Sequence, residues 1–140
     1  MPKFIADFFP NVTNYWDIFL TALTATYQMF FIAGLITLLI GGAFGISLIV
    51  TKTDGIKPNR IIHFILEVIT NVFRAVPFII LLIFLIPLTR SIAGTSIGVK
   101  GAVVPLVFGA VPFYTRQVET ALADVNPGKI EAARSMGSST

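Results

Sequence analysis

The sequence predicts an all-α membrane protein with three transmembrane helices and one short helix on the cytoplasmic side. Three observations carry this. The 140 residues are 55% hydrophobic and 12% charged, with mean hydropathy +0.86, and a typical soluble domain has about twice that charge. No charged residue lies between Asp17 and Lys52. At about 1.5 Å of rise per residue, that run is longer than a hydrocarbon core of about 30 Å requires. The basic residues also cluster in some connecting segments and avoid others.

Residues 1–26 contain Asp7, Asp17, Pro10 and several threonines. They read as an extracytoplasmic, interfacial lead-in with Tyr15 and Trp16 near the lipid headgroups. A cleaved signal peptide fits poorly, because Lys3 is the only basic residue at the start and Asp7 follows it closely. The first span is placed at residues 27–50, which hold thirteen Leu, Ile, Phe or Val residues and no ionisable group. Insertion is then favoured by roughly 4–8 kcal/mol. Gly41 and Gly45 form a small-xxx-small pair that permits close helix approach.

Gly55 and Pro58 mark the next loop. A second span is expected within residues 61–88, with its cleanest apolar part at 75–89 and Arg74 and Arg90 able to snorkel at the ends. Glu67, Asn71 and Arg74 share a helical face. They suit a polar pathway or, more cheaply, a cytoplasmic extension of the helix, since a charge at the bilayer centre costs about 2.5–3.5 kcal/mol. The third span, near 101–115, has seven strongly apolar residues and two prolines, Pro105 and Pro112, on nearly one face. Each proline removes a backbone donor and favours a kink, so this span needs neighbouring helices.

In the last segment, Asn126 can cap a helix and Pro127 is preorganised for its first turn. Gly137 can end the helix in the left-handed conformation. Ala132, Ala133 and Met136 offer a low apolar patch, with Lys129 and Arg134 left in water. This suits a knob for a soluble partner, and equally a surface connector. Lys52, Lys57 and Arg60 in the first loop, and Arg116, Lys129 and Arg134 after the third span, place both segments in the cytoplasm by the positive-inside rule. The N-terminus is then outside.

Several chemistries fail on spacing. Gly94-Thr95-Ser96-Ile97-Gly98 matches G-x-S-x-G, but the lone His63 lies upstream and across the membrane, so a flexible outer loop is the simpler reading. There is no phosphate-binding G-x-x-x-x-G-K-[ST] loop, so ATP would have to be hydrolysed by another subunit. His63 has no second histidine for zinc, and the absence of cysteine excludes thiol chemistry. No metal site or bound cofactor is expected in this chain. Asn11-Val12-Thr13 is a formal glycosylation sequon of little weight in this setting.

Glu131-Ala132-Ala133-Arg134-Ser135-Met136-Gly137 has the spacing of the EAA loop of ABC permeases. Phe73-Arg74-Ala75-Val76-Pro77-Phe78, Ile86-Pro87-Leu88-Thr89-Arg90, Gly94 to Gly98, and Val104-Pro105-Leu106 through Glu119 follow in matching order. From Thr24 to Gly137 the chain resembles permease subunits of methionine-type ABC importers. The resemblance implies a bacterial inner-membrane bundle of five spans per permease, of which three are present here. It further implies a permease homodimer, a cytoplasmic ATPase homodimer that uses ATP and Mg, and an extracytoplasmic binding protein delivering D- or L-methionine. On that basis residues 27–140 are the N-terminal part of the transmembrane domain, with the EAA loop at 124–140. Glu131, Ala132, Ala133 and Gly137 would form the helix that seats in the ATPase. Gly94, Thr95, Ser96 and Gly98 would face the binding protein. The family pattern continues with two further spans, whereas this sequence stops at Thr140. The chain is therefore expected to be a permease fragment that inserts without transporting alone. A permease for another amino acid, or a non-transporting membrane interaction or regulatory protein, is the alternative.

Overall fold

The computed structural model describes residues 15–138, and its ordered elements are all helices: α1 (Trp16–Thr51), α2 (Arg60–Ala75), α3 (Phe78–Phe84), α4 (Ile86–Ala93), α5 (Gly98–Ala123) and α6 (Pro127–Ser135). The sequon and most of the lead-in lie outside the described residues. α1 and α5 are each long and apolar enough to cross a membrane, and α2 with α3 makes a third span only as a bent pair.

α1 begins eleven residues before the expected start of the first span and runs unbroken through residues 26 and 27. Nothing between Trp16 and Ala33 can break it, since that stretch has neither glycine nor proline. The threonine hydroxyls find acceptors within the helix itself: Thr21, Thr24 and Thr26 donate to the carbonyls of Asp17, Leu20 and Ala22. Its 36 residues extend about 54 Å, so an upright α1 projects well beyond a hydrocarbon core of about 30 Å.

The helix is packed inside out relative to a soluble protein. Its buried stripe is Ala33, Thr37, Gly41, Gly45, Leu48 and Thr51, while Phe30, Phe31, Leu35, Leu38 and Leu39 are exposed. Lipid accepts the large apolar side chains, and the small ones let helix backbones meet. They meet α5. A Cβ on Gly41 would stand 3.0 Å from Tyr114 Cδ1 and 3.1 Å from the Val111 carbonyl oxygen, and one on Gly45 would stand 2.6 Å from Val118 Cβ. The Thr115 hydroxyl donates to the Gly41 carbonyl oxygen at 3.3 Å within this seam. Pro105 and Pro112 are both buried in α5, which continues past them.

Residue numbers rise together along the seam, 41 against 111–114 and 45 against 115–118, so α1 and α5 run parallel. The loop after α1 and the segment after α5 therefore lie at one end of the bundle, and the loop before α5 lies at the other. α2 runs back between them: the His63 ring meets Leu48, and Phe73 meets Phe108 with ring centroids 5.9 Å apart.

The second span differs from a simple crossing. α2 and α3 meet at 103° across Val76 and Pro77. Pro77 has no N–H to continue the ladder, and it drives Val76 to an extended conformation (φ −82°, ψ 125°). The bend separates amphipathic α2, which carries Glu67, Asn71 and Arg74, from the more apolar residues that follow, so the segment expected as one span is two helices. α3 then passes into α4 at Leu85, and α4 ends at Gly94 with φ 72°.

Candidate functional site

The two segments singled out by sequence sit at opposite ends of the bundle. α6 forms as its start and stop signals dictate. The Asn126 side-chain oxygen accepts from the Gly128 N–H at 2.8 Å, capping the first turn. At the other end Gly137 takes φ 83°. The Ser138 N–H donates to the Ala133 carbonyl oxygen at 3.1 Å, the six-to-one bond of a glycine-terminated helix. Glu131, Ala132 and Gly137 are exposed and Ala133 is half-buried. Met136 is 82% exposed, and Ile130 of α6 is also exposed. α6 packs against none of the other helices among the described residues. It is a helix capped at both ends and joined to the bundle through residues 124–126.

The loop at the far end is built from two left-handed glycines, Gly94 (φ 72°) and Gly98 (φ 74°), each with open space around it. Thr95 and Ser96 are not free: the Thr95 hydroxyl oxygen accepts from the Ile97 N–H at 3.1 Å, and the Arg90 Nε donates to the Ser96 hydroxyl at 3.2 Å. The Ser96 backbone lies so close to buried Gly101 that no side chain fits there. Ile97 is the tip, 81% exposed. Sequence reasoning passed over Gly101, because a glycine inside a helix carries no signal of what approaches it.

A third grouping lies at the α6 end. On α2, His63, Glu67 and Asn71 form one stripe, and Arg116 of α5 faces it. Arg116 Nη2 donates to Asn71 Oδ1 at 2.8 Å and lies 3.6 Å from Glu67 Oε1, while Nη1 holds Glu119 Oε2. His63 Nδ1 is 3.0 Å from the Leu48 carbonyl oxygen. A carbonyl only accepts, so Nδ1 carries the proton, and Nε2 faces Glu67 Oε2 at 3.8 Å. The sequence showed Glu67 and Asn71 on one face but not Arg116 as their partner, and it grouped them with Arg74, which stands apart. Arg74 instead edges a half-open apolar cleft at the α2–α3 bend, with Phe73, Phe78, Leu81, Gly109 and Phe113. Among the described residues, no group of three or more His, Cys, Asp or Glu side chains could hold a metal ion.

Comparison with known proteins places this architecture. Residues 41–140 match the family model described as binding-protein-dependent transport system inner membrane component. The chain is 46% identical over 112 residues to the D-methionine transport system permease protein MetI of Yersinia pestis and to that of Escherichia coli K12, covering 80% of this chain and 52% of each relative. A probable D-methionine permease of Vibrio cholerae is 42% identical over 121 residues, covering 86% of this chain and 54% of the relative. Among solved structures, inward-facing forms of the MetNI methionine ABC transporter superpose with TM-scores of 0.81 and 0.79 at 43% and 44% identity. Those matches cover 86% and 84% of this chain, and 56% and 54% of the solved chains. The chain thus spans about half the length of the relatives it matches. With a glycine-seamed helical bundle, a capped exposed helix at one end and a matching model over residues 41–140, the chain belongs to the binding-protein-dependent transport system inner membrane component family.

Proposed function

We propose that this chain forms part of the membrane pathway of an ATP-driven importer of methionine, in both D and L forms. The observation that carries the reading is the 46% identity to D-methionine permeases over 80% of the chain. The pathway would be completed by a permease homodimer. Two copies of a separate ATPase, which holds ATP and Mg, would sit against α6 in the cytoplasm. A methionine-binding protein would dock outside near Gly94, Thr95, Ser96 and Gly98. The protein is in this reading a transporter subunit rather than an enzyme, and its setting is the bacterial inner membrane.

The geometry supports the division of labour. α6 is short, capped at both ends and, among the described residues, packed against no other helix, so its small-residue face is available to a groove on another protein. It shares an end with Lys52 and Lys57 of the first loop and Arg60 at the start of α2, as a cytoplasmic placement requires. ATP-driven closure of the ATPase pair would move the seated α6 helices. α5 would pass that movement to the bundle, switching access between the two sides.

Deletion of the coding region in the native host, followed by uptake of labelled methionine, tests this. Binding-protein-dependent uptake is expected to fall to background and to return on complementation. Unchanged methionine uptake with loss of another amino acid's uptake would replace the substrate, and no transport change at all would replace the function.

A further inference from the structure

We propose that Arg116 is a positioning residue that locks α2 to the α5–α6 arm, so that movement of α6 reaches the bent second span. The idea rests on the transporter reading above for its purpose and on the geometry for its mechanism.

Among the described residues, α6 packs against no other helix and follows the end of α5 in the chain. From there two routes lead inward. The route to α1 is close and mostly apolar: Gly45 receives Val118 and Gly41 receives Tyr114, with the Thr115 hydroxyl bonded to the Gly41 carbonyl oxygen. The route to α2 at this end is polar. Arg116, placed two residues before Val118, reaches Asn71 at 2.8 Å and Glu67 at 3.6 Å while Glu119 holds its other nitrogen. The close-packed α1–α5 seam fixes α5 against α1 and leaves the register of α2 to other contacts. Arg116 supplies one: its bond to Asn71 crosses the helices and holds only while the planar guanidinium N–H stays aimed at its acceptor, the Glu67 carboxylate adds a nearby opposite charge, and Glu119 on the same helix fixes the other nitrogen. The same α2 stripe reaches α1 through His63 and the Leu48 carbonyl oxygen. That carbonyl belongs to the last turn of α1, where no following helical N–H serves it. Three helices are thus held in register at the end from which α6 departs. Beyond the lock, α2 runs to the 103° bend and the apolar stretch after it.

The side chains are only partly covered: Arg116 is 23% exposed, Glu119 16% and Glu67 42%. Such a network contributes modestly to stability. Its loss should leave the α1–α5 seam standing and remove the register of α2.

The test uses the full permease–ATPase complex in proteoliposomes with its binding protein, and measures methionine uptake and ATP hydrolysis together. Arg116→Asn is expected to lower uptake per ATP roughly five-fold, the order expected for loss of one charge-assisted contact, with hydrolysis nearly unchanged. Exchanging the pair, Asn71→Arg with Arg116→Asn, returns a guanidinium to the same gap and is expected to regain most of the ratio. If Arg116→Asn does not assemble, Arg116→Lys, which keeps charge but loses the planar fork, is expected to lower the ratio in its place. An unchanged ratio, or no recovery in the exchanged pair, overturns the lock. A transport-independent readout separates this from the functional reading. The chain has no cysteine, so spin labels at Ile65→Cys and Leu122→Cys report the α2–α5 separation. One narrow distance with and without ATP is expected in the wild type, and a broadened one in Arg116→Asn. Two unbroadened distributions would overturn the lock even if transport fell. A narrow wild-type distance in a protein that takes up no methionine would leave the lock and remove the importer.

Discussion

Gly45 of α1 lies so near Val118 of α5 that a Cβ at Gly45 would stand 2.6 Å from the Val118 Cβ and 2.8 Å from the Thr115 carbonyl oxygen. Both neighbours are held by their helix, so neither can retreat without α5 moving. Gly45→Ala is therefore expected to destabilise the protein by about 1–3 kcal/mol through overpacking. Gly34 is the control on the same helix: nothing lies within 4 Å of its Cβ position, and Gly34→Ala is expected to stabilise by about 0.5–1 kcal/mol through helix propensity. Thermal unfolding of the purified membrane protein in detergent compares the two. Equal shifts would show that the seam is looser than its geometry.

α6 is expected to fail at either terminus. Asn126→Ala removes the bond to the Gly128 N–H, at a cost of about 0.5–2 kcal/mol. Gly137→Ala forces a side chain into φ 83°, at about 1–2 kcal/mol. Since α6 packs against no other helix among the described residues, both costs should fall on α6 alone. Amide exchange should speed in residues 127–138 and stay unchanged in the α1–α5 seam. Protection lost throughout the bundle would contradict an isolated α6.

Glu131 is exposed on α6, and Glu131→Arg reverses its charge without touching the bundle. In affinity purification of the tagged permease, ATPase recovery is expected to fall several-fold, the order of about 1 kcal/mol at an interface. Full recovery would argue that the partner surface lies elsewhere.

The shared end of the first loop and α6 gives a topology test. Gly55 is the obvious loop position by sequence, but the Ile49 and Val50 backbone occupies the space its side chain would need. Ile56, 47% exposed, is the better site, with Ile97, 81% exposed, at the opposite end. In this cysteine-free chain, Ile56→Cys is expected to react with a membrane-impermeant thiol reagent only from the cytoplasm, and Ile97→Cys only from outside. The reverse pattern would invert the orientation, and labelling of both from one side would contradict the parallel α1–α5 arrangement.

What the sequence determined is what local chemistry determines. The uncharged run before Lys52 requires a membrane helix, Asn126, Pro127 and Gly137 bracket α6, and the Gly41–Gly45 pair marks where a helix can approach. These signals act within a few residues, through capping bonds, backbone freedom and transfer of apolar surface, so they are readable in order along the chain. Tertiary structure decided which helix fills the glycine groove, and in which direction it runs. It also set the angle at Val76 and Pro77: the proline announces a break, but the packing of Phe78 against Gly109 sets where the next helix goes. The partner of the Glu67–Asn71 stripe was hidden for the same reason. Arg116 lies 45 residues from Asn71, and only the register imposed by the α1–α5 seam and the return of α2 brings the two side chains together.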